Sequence, residues 1–285
     1  GTNSMGIRRE MSKNDVVWQR VSSARNYFFL AIAAHVLLAA QPLAFATPTS
    51  SSELEETRSQ AEASLLTAAT RGDLRKVDAL LQTGVNPNAL AKDRNGRSAL
   101  MLATIGGHAD VVELLLERGA SVNLRDKQKL SALHWAAIRG QTSIAGTLLE
   151  NGANVDARGE KDVTPLLYAV GTRNRALASL LLEYAADPNV ESTENKVTPL
   201  LIAVEQQDAK LAERLLDSGA DVNQPNLDGQ SPLMSAAEKG DKMMTILLLR
   251  HGADPRLKDK KGRVAINHAR SNGHPDIVEL LASKE

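Results

Sequence analysis

The chain has 285 residues, and its 34 Lys and Arg balance 34 Asp and Glu, so the formal net charge is zero. No global field then draws it to nucleic acid or acidic lipid. It has no cysteine, which excludes disulfides, thiol catalysis, cysteine-ligated zinc and a lipid-modified cysteine anchor.

The first element in chain order is an address label. Arg20 and Arg25 precede an apolar run over 27–40, Gln41-Pro42 breaks it, and Ala44-Phe45-Ala46 follows. A basic n-region, an apolar h-region and an A-x-A site describe a secretory signal peptide over 1–46, with cleavage expected after Ala46. The alternative is an uncleaved membrane anchor, for which the run is short against about 20 residues and carries His35, Gln41 and Pro42. Basic residues before the segment and Glu53, Glu55 and Glu56 after it put the rest of the chain across the membrane in either case. An exported location, periplasmic or secreted, is expected, with a membrane involved only if the segment is retained. Met5-Gly6 does not make a myristoylation site, because Glu10 stands where Ser or Thr is needed. Residues 47–62, rich in Thr, Ser and Glu, read as a flexible lead-in.

Beyond the lead-in the chain repeats. Ser98-Ala99-Leu100-Met101 recurs as Ser131-Ala132-Leu133-His134, Thr164-Pro165-Leu166-Leu167, Thr198-Pro199-Leu200-Leu201, Ser231-Pro232-Leu233-Met234 and Val264-Ala265-Ile266-Asn267. The period is about 33 residues, which marks a stacked solenoid. In Thr164-Pro165, Thr198-Pro199 and Ser231-Pro232 the Ser or Thr is placed to cap a first helix and the Pro sits in its first turn, where no hydrogen bond is lost. Small residues such as Ala136-Ala137 and Ala236-Ala237 allow close helix approach, and turns such as Gly107-His108 and Gly140-Gln141 reverse the chain. A leucine-rich second helix follows, as in Leu114-Leu115-Leu116 and Leu247-Leu248-Leu249. Gly119, Gly152, Gly219 and Gly252 are placed to end it in the left-handed conformation.

These marks, with Gly219-Ala220-Asp221-Val222-Asn223 and Gly152-Ala153-Asn154-Val155-Asp156 among the best copies, resemble the ankyrin-repeat family from about Ala63 to Leu281. The resemblance implies an all-α repeat solenoid of about seven units, each a β-hairpin finger plus a helix-turn-helix. The units fall at about 63–92, 93–125, 126–158, 159–192, 193–225, 226–258 and 259–285, the terminal ones acting as polar caps. Unit four departs from the pattern with Arg173-Asn174 at the turn and Ala185 where the helix-ending glycine belongs, and unit five with Gln207-Asp208. These are either tolerated drift or a softer joint.

No catalytic constellation is legible. His134 sits on the finger mark and reads as structural; His108, His251, His268 and His274 lack the spacing of a metal site. No catalytic residue, cofactor or metal is expected. The family resemblance implies a non-enzymatic protein-binding module whose concave face, of finger residues and inner-helix side chains, contacts a protein partner. Carried onto this chain, Leu130, Val163, Val197, Ile105 and Ile138 are the expected apolar anchors, with Arg94, Arg97, Arg139 and Glu205 as rim contacts. The competing reading is that these finger residues pack against neighbouring fingers. Basic finger residues (Arg94, Lys127, Lys129, Lys258, Lys260, Lys261, Arg263) are interrupted by Glu160, Asp162, Glu194 and Asp228, so they read as a solvated face and nucleic acid is not expected. The expectation is a monomeric exported adaptor, with a membrane-tethered scaffold and an effector secreted onto another organism's proteins as alternatives.

Overall fold

A computed structural model describes residues 53–283; the expected signal segment, its cleavage site and the alternative anchor lie outside them. Fourteen α-helices follow in pairs: α1 Glu53–Arg71, α2 Leu74–Gln82, α3 Ala99–Gly106, α4 Ala109–Glu117, α5 Ala132–Arg139, α6 Thr142–Glu150, α7 Pro165–Gly171, α8 Arg175–Glu183, α9 Pro199–Glu205, α10 Ala209–Asp217, α11 Pro232–Lys239, α12 Lys242–Arg250, α13 Ala265–Ser271 and α14 Pro275–Ala282. Odd-numbered helices form an inner row and even-numbered helices an outer row. Substantial helix contacts run only within a pair or between adjoining pairs, so stability is built up unit by unit.

Local chemistry starts each helix where the sequence places it. The hydroxyls of Ser98, Thr164, Thr198 and Ser231 accept from the amides of Met101, Leu167, Leu201 and Met234. Asp73, Asn174, Asp208 and Asp241 cap outer helices in the same way. Gly119, Gly152, Gly219 and Gly252 follow the outer helices with positive φ. Leu115, Leu148, Leu181, Leu215, Leu248 and Leu281 recur at one position of the outer row, and all are buried. Each contributes about 2 kcal/mol of apolar transfer.

Two expectations need correction. The lead-in is helical from Glu53, because α1 extends over 53–71. Its added turns are rich in good helix formers and carry an Arg58–Glu62 pair at i,i+4. The fingers, moreover, are not strand pairs. Among the described residues the only β-bridge is the isolated one between Leu90 and Ser98. The fingers are tight turns: that of unit three is closed by Asp126 N–H to Leu130 O and Lys129 N–H to Asp126 O, both 2.9 Å, and that of unit seven by Asp259 N–H to Arg263 O at 2.9 Å and Gly262 N–H to Asp259 O at 2.8 Å. The aspartate side chain holds further donors: Asp126 Oδ1 accepts from the Gln128 and Leu130 amides. Arms this short leave no room for a ladder.

Side chains tie unit to unit. Asn123, Asn189 and Asn223 each donate to a glycine carbonyl of the next unit (Gly152, Gly219, Gly252) and accept the amide two residues beyond it. In the same place Asp156 accepts the Asp187 amide at 2.9 Å, but a carboxylate has no proton to offer the Ala185 carbonyl. Backbone strain is concentrated nearby. The non-glycine residues with positive φ among those described (Lys129, Lys161, Asp162, Arg173, Ala185, Lys196 and Gln207) all lie between 129 and 207. Glycine fills the matching positions toward both ends, Gly107 and Gly240 standing where Arg173 and Gln207 stand here.

Ala185 has φ of 60° and is exposed, so a Cβ there meets left-handed strain of about 1–2 kcal/mol. Against this, glycine adds about 0.4–1 kcal/mol of unfolded-chain entropy. Ala185→Gly is therefore expected to stabilise the chain by about 0.5–1 kcal/mol, read as a higher urea midpoint. A lower midpoint would show that neighbouring contacts have absorbed the strain.

Candidate functional site

The expected concave side is the one that carries the finger turns and the inner helices. Of the expected anchors, three are inside the stack: Leu130 is 0% exposed, Ile138 4% and Ile105 8%. Arg97, expected on the rim, is 2% exposed. Val163 and Val197 are half-buried and pack against the core. Arg94 and Arg139 are exposed as expected, and Glu205 is half-buried in an ion pair with Lys239 at 3.0 Å.

The apolar stripe is thus packing between neighbours. Leu130 and Arg97 each precede an N-cap and lie against the next unit. Leu130 packs so closely on Gly159 that a Cβ there would lie 2.7 Å from its Cδ2. The Arg97 guanidinium stacks 4.4 Å from the centre of the Trp135 ring on α5.

Trp135 is fully buried and its indole N–H donates to Asp126 Oδ2 at 3.1 Å. Burial pushes the Asp126 carboxyl upward, opposed by the Leu130 amide, the indole N–H and the Arg97 charge. Burial likewise pushes Arg97 downward, opposed by Asp126 and Asp93. Nε and Nη2 of Arg97 are buried without a hydrogen-bond partner, which leaves the ring face as the guanidinium's main favourable contact.

The same design recurs near the C-terminus. His268 replaces the indole, with Nε2 3.2 Å from Asp259 Oδ2 and Nδ1 3.3 Å from Glu238 Oε2. Arg263 Nη2 lies 2.8 Å from Asp259 Oδ2, and Gln230 Nε2 donates to Glu238. Burial raises Asp259, but the Arg263 amide and guanidinium outweigh it and hold the carboxyl below its ordinary range. Burial likewise raises Glu238, but His268 and Gln230 outweigh it. A finger-opening aspartate followed nine residues later by a ring N–H (Asp126/Trp135, Asp259/His268) is the sequence signal for both networks.

The remaining histidines brace backbone. His134 is fully buried; its Nδ1 accepts the Ser131 amide at 3.1 Å, so Nε2 carries the proton and donates to Val163 O at 3.2 Å. Burial pushes its pKa down to about 4. His108 and His274 reach back one unit, to Thr70 O and Glu238 O, both at 3.1 Å. Among the described residues no group of His, Asp or Glu is arranged to hold a metal ion, and no helix is long and apolar enough to cross a membrane.

What the face does offer is charge on finger tips. Lys92, Arg94, Arg125, Lys127 and Lys129 are exposed on the fingers of units two and three; Glu160, Lys161, Thr193, Glu194 and Lys196 on those of units four and five; Leu227 and Asp228 on that of unit six. Such a surface presents changing side chains on a fixed frame, with chemistry suited to recognition.

A sequence profile described as ankyrin repeats in three copies matches residues 65–159, 157–226 and 200–285. The chain is 43% identical over 65 residues to the putative ankyrin repeat protein YahD of Escherichia coli (strain K12), covering 21% of this chain and 32% of that one. It is 45% identical over 65 residues to the cyclin-dependent kinase 4 inhibitor B of Mus musculus, covering 23% of this chain and 48% of that one. The chain therefore spans less than half the length of either relative. Among solved structures it is similar to the ankyrin repeat domain of Bcl-3, a member of the IkappaB protein family (TM-score 0.69, 31% identity, 76% of this chain and 97% of that chain). It is also similar to the ankyrin repeat domain of human ASB11 (TM-score 0.63, 28% identity, 76% and 96%).

Proposed function

Since the chain belongs to the ankyrin-repeat family, whose repeats are protein–protein interaction modules, we propose that it is an exported adaptor that binds a protein partner across its finger tips and inner-helix ends. One observation carries the reading. The finger row carries exposed side chains that change from unit to unit, while the residues directly beneath it (Arg97, Leu130, Ser98, Ser131) are buried in the frame. A frame rigid below and varied above loses little entropy on docking. Arg94 and Arg139, with the half-exposed Glu205, are the rim contacts of this reading, and the finger tips take the anchoring role first given to Leu130. Export rests on the basic, apolar and A-x-A pattern of residues 1–46.

The test is a crosslinked pull-down from the exported fraction with the native chain and an Arg94→Ala/Arg139→Ala/Glu205→Ala variant of equal helicity and melting. A protein captured by the native chain and lost by the variant is the expected result. Capture of no protein by either chain would overturn the adaptor reading. The mass of the chain recovered from that fraction tests export separately: loss of residues 1–46 is expected, and retention of 27–46 would make it a tethered scaffold.

A further inference from the structure

The fingers of units two and three carry Lys92, Arg94, Arg97, Arg125, Lys127 and Lys129 against two carboxylates, Asp93 and Asp126. Both carboxylates serve the fingers' own amides. Asp93 accepts from the Asn95 and Gly96 amides, and Asp126 from those of Gln128 and Leu130 and from the Trp135 indole. Three of the cations reach neutral oxygens: Lys92 Nζ donates to Ser59 Oγ, Arg125 Nε to Lys129 O and Lys127 Nζ to Asp93 O. Among the described residues none of Lys92, Arg125, Lys127 and Lys129 is within ion-pair distance of a carboxylate.

The next fingers of the row are different. Lys161 pairs with Glu194 at 2.7 Å and Lys196 with Glu191 at 3.5 Å, while Arg256 pairs with Asp254 and Arg263 with Asp259 farther on. An excess over two adjoining fingers is therefore local, because the last finger, which carries Lys258, Lys260 and Lys261, stands beside one that presents Asp228, and the whole chain is neutral. It is also held in place, because the Lys127 amide donates to Asn95 O at 2.9 Å and locks one finger against the next. Cations fixed side by side repel one another, and an incoming anion removes that repulsion without reorganising the frame.

We propose that the finger face of units two and three, centred on Lys92, Lys127 and Lys129, docks an acidic segment of a partner protein. The proposal rests on the protein-binding reading and names the chemistry of the partner at that face. A nucleic acid fits less well. A phosphate backbone following the row meets Glu160, then Glu191 and Glu194, on the next two fingers, whereas a short acidic peptide ends before them.

The test uses the full chain, a fluorescein-labelled octaglutamate peptide as probe and anisotropy as readout. Lys127→Glu/Lys129→Glu is expected to weaken binding by about ten-fold or more. Lys260→Glu/Lys261→Glu, the same charge change on the last finger, is expected to change it by less than about two-fold. Raising NaCl from about 50 to about 200 mM should weaken native binding, and octaglutamine should not bind. If charge reversal lowers the melting temperature, Lys127→Gln/Lys129→Gln replaces it and should still weaken binding. Three results would overturn the proposal: no binding by the native chain, equal weakening by the two reversals, or tighter binding of an eight-nucleotide single strand than of the peptide. In the pull-down, capture of one protein by both the native chain and Lys127→Glu/Lys129→Glu would overturn the acidic face and leave the adaptor intact. Capture of none by either would remove the adaptor itself.

Discussion

Trp135→Ala is expected to lower the unfolding free energy by about 4 kcal/mol, among the largest losses available to a single substitution here. The indole is fully buried on α5, so its removal leaves a cavity that close-packed alanine-rich helices cannot readily collapse. Two further losses follow. Asp126 Oδ2 loses its indole donor at 3.1 Å, and the Arg97 guanidinium loses the ring 4.4 Å away. Both groups are already held against ionisation by burial, and an unsatisfied buried polar group costs about 1–3 kcal/mol. Trp135→Phe separates these terms: it keeps most of the volume and the ring face but not the N–H, and should cost about 1–2 kcal/mol. Because each unit touches only its neighbours, the loss should fall at the junction of units two and three. Hydrogen exchange is expected to quicken in α3 to α6 first, ahead of α11 to α14. Urea titration by circular dichroism gives the total. Equal small losses from both variants would mean that the indole is not the centre of this junction.

The features legible in the sequence were those set by local rules. The capping hydroxyls of Ser98, Thr164, Thr198 and Ser231, the prolines behind three of them and the glycines that end the outer helices each act within a few residues. Each was found where the period placed it. The direction of the finger side chains was not legible. Leu130 and Val163 occupy one register of the repeat, yet the first is sealed and the second half-buried, because what lies beneath each is supplied by the next unit. Gly159 leaves room for Leu130, a fact about two residues far apart in sequence. The irregularity of unit four was visible as a missing glycine, but its consequence was not. The backbone at Ala185 and Arg173 keeps the left-handed turn regardless, since the stacked neighbours on both sides hold the turn against local preference.

Acid is expected to reveal His134. Its pKa falls from 6.5 to about 4 on folding, with burial as the main cause, so the unfolded chain binds more protons between those values. Stability from the neutral ring is therefore fully present above about pH 6.5 and is lost as the pH falls toward 4, in an amount on the order of 3 kcal/mol. Glu238 and Asp259 are held below their ordinary ranges, so their contributions are present above the unfolded values and fade only at still lower pH. Asp126, held above its ordinary range, works in the opposite direction, since its protonation favours the folded chain. The decline above about pH 4.5 is thus assigned to His134. The chain supplies its own control. Asn267 occupies the matching position in the last unit, and its Oδ1 accepts the Val264 amide at 3.0 Å. His134→Asn should keep the bond to the Ser131 amide, lose the one to Val163 O, cost about 1–2 kcal/mol at neutral pH and flatten the decline between pH 6.5 and 4.5. An unchanged slope in that variant would place the titrating group elsewhere, and an unchanged stability at pH 7 would mean that the bond to Val163 does not hold units three and four together.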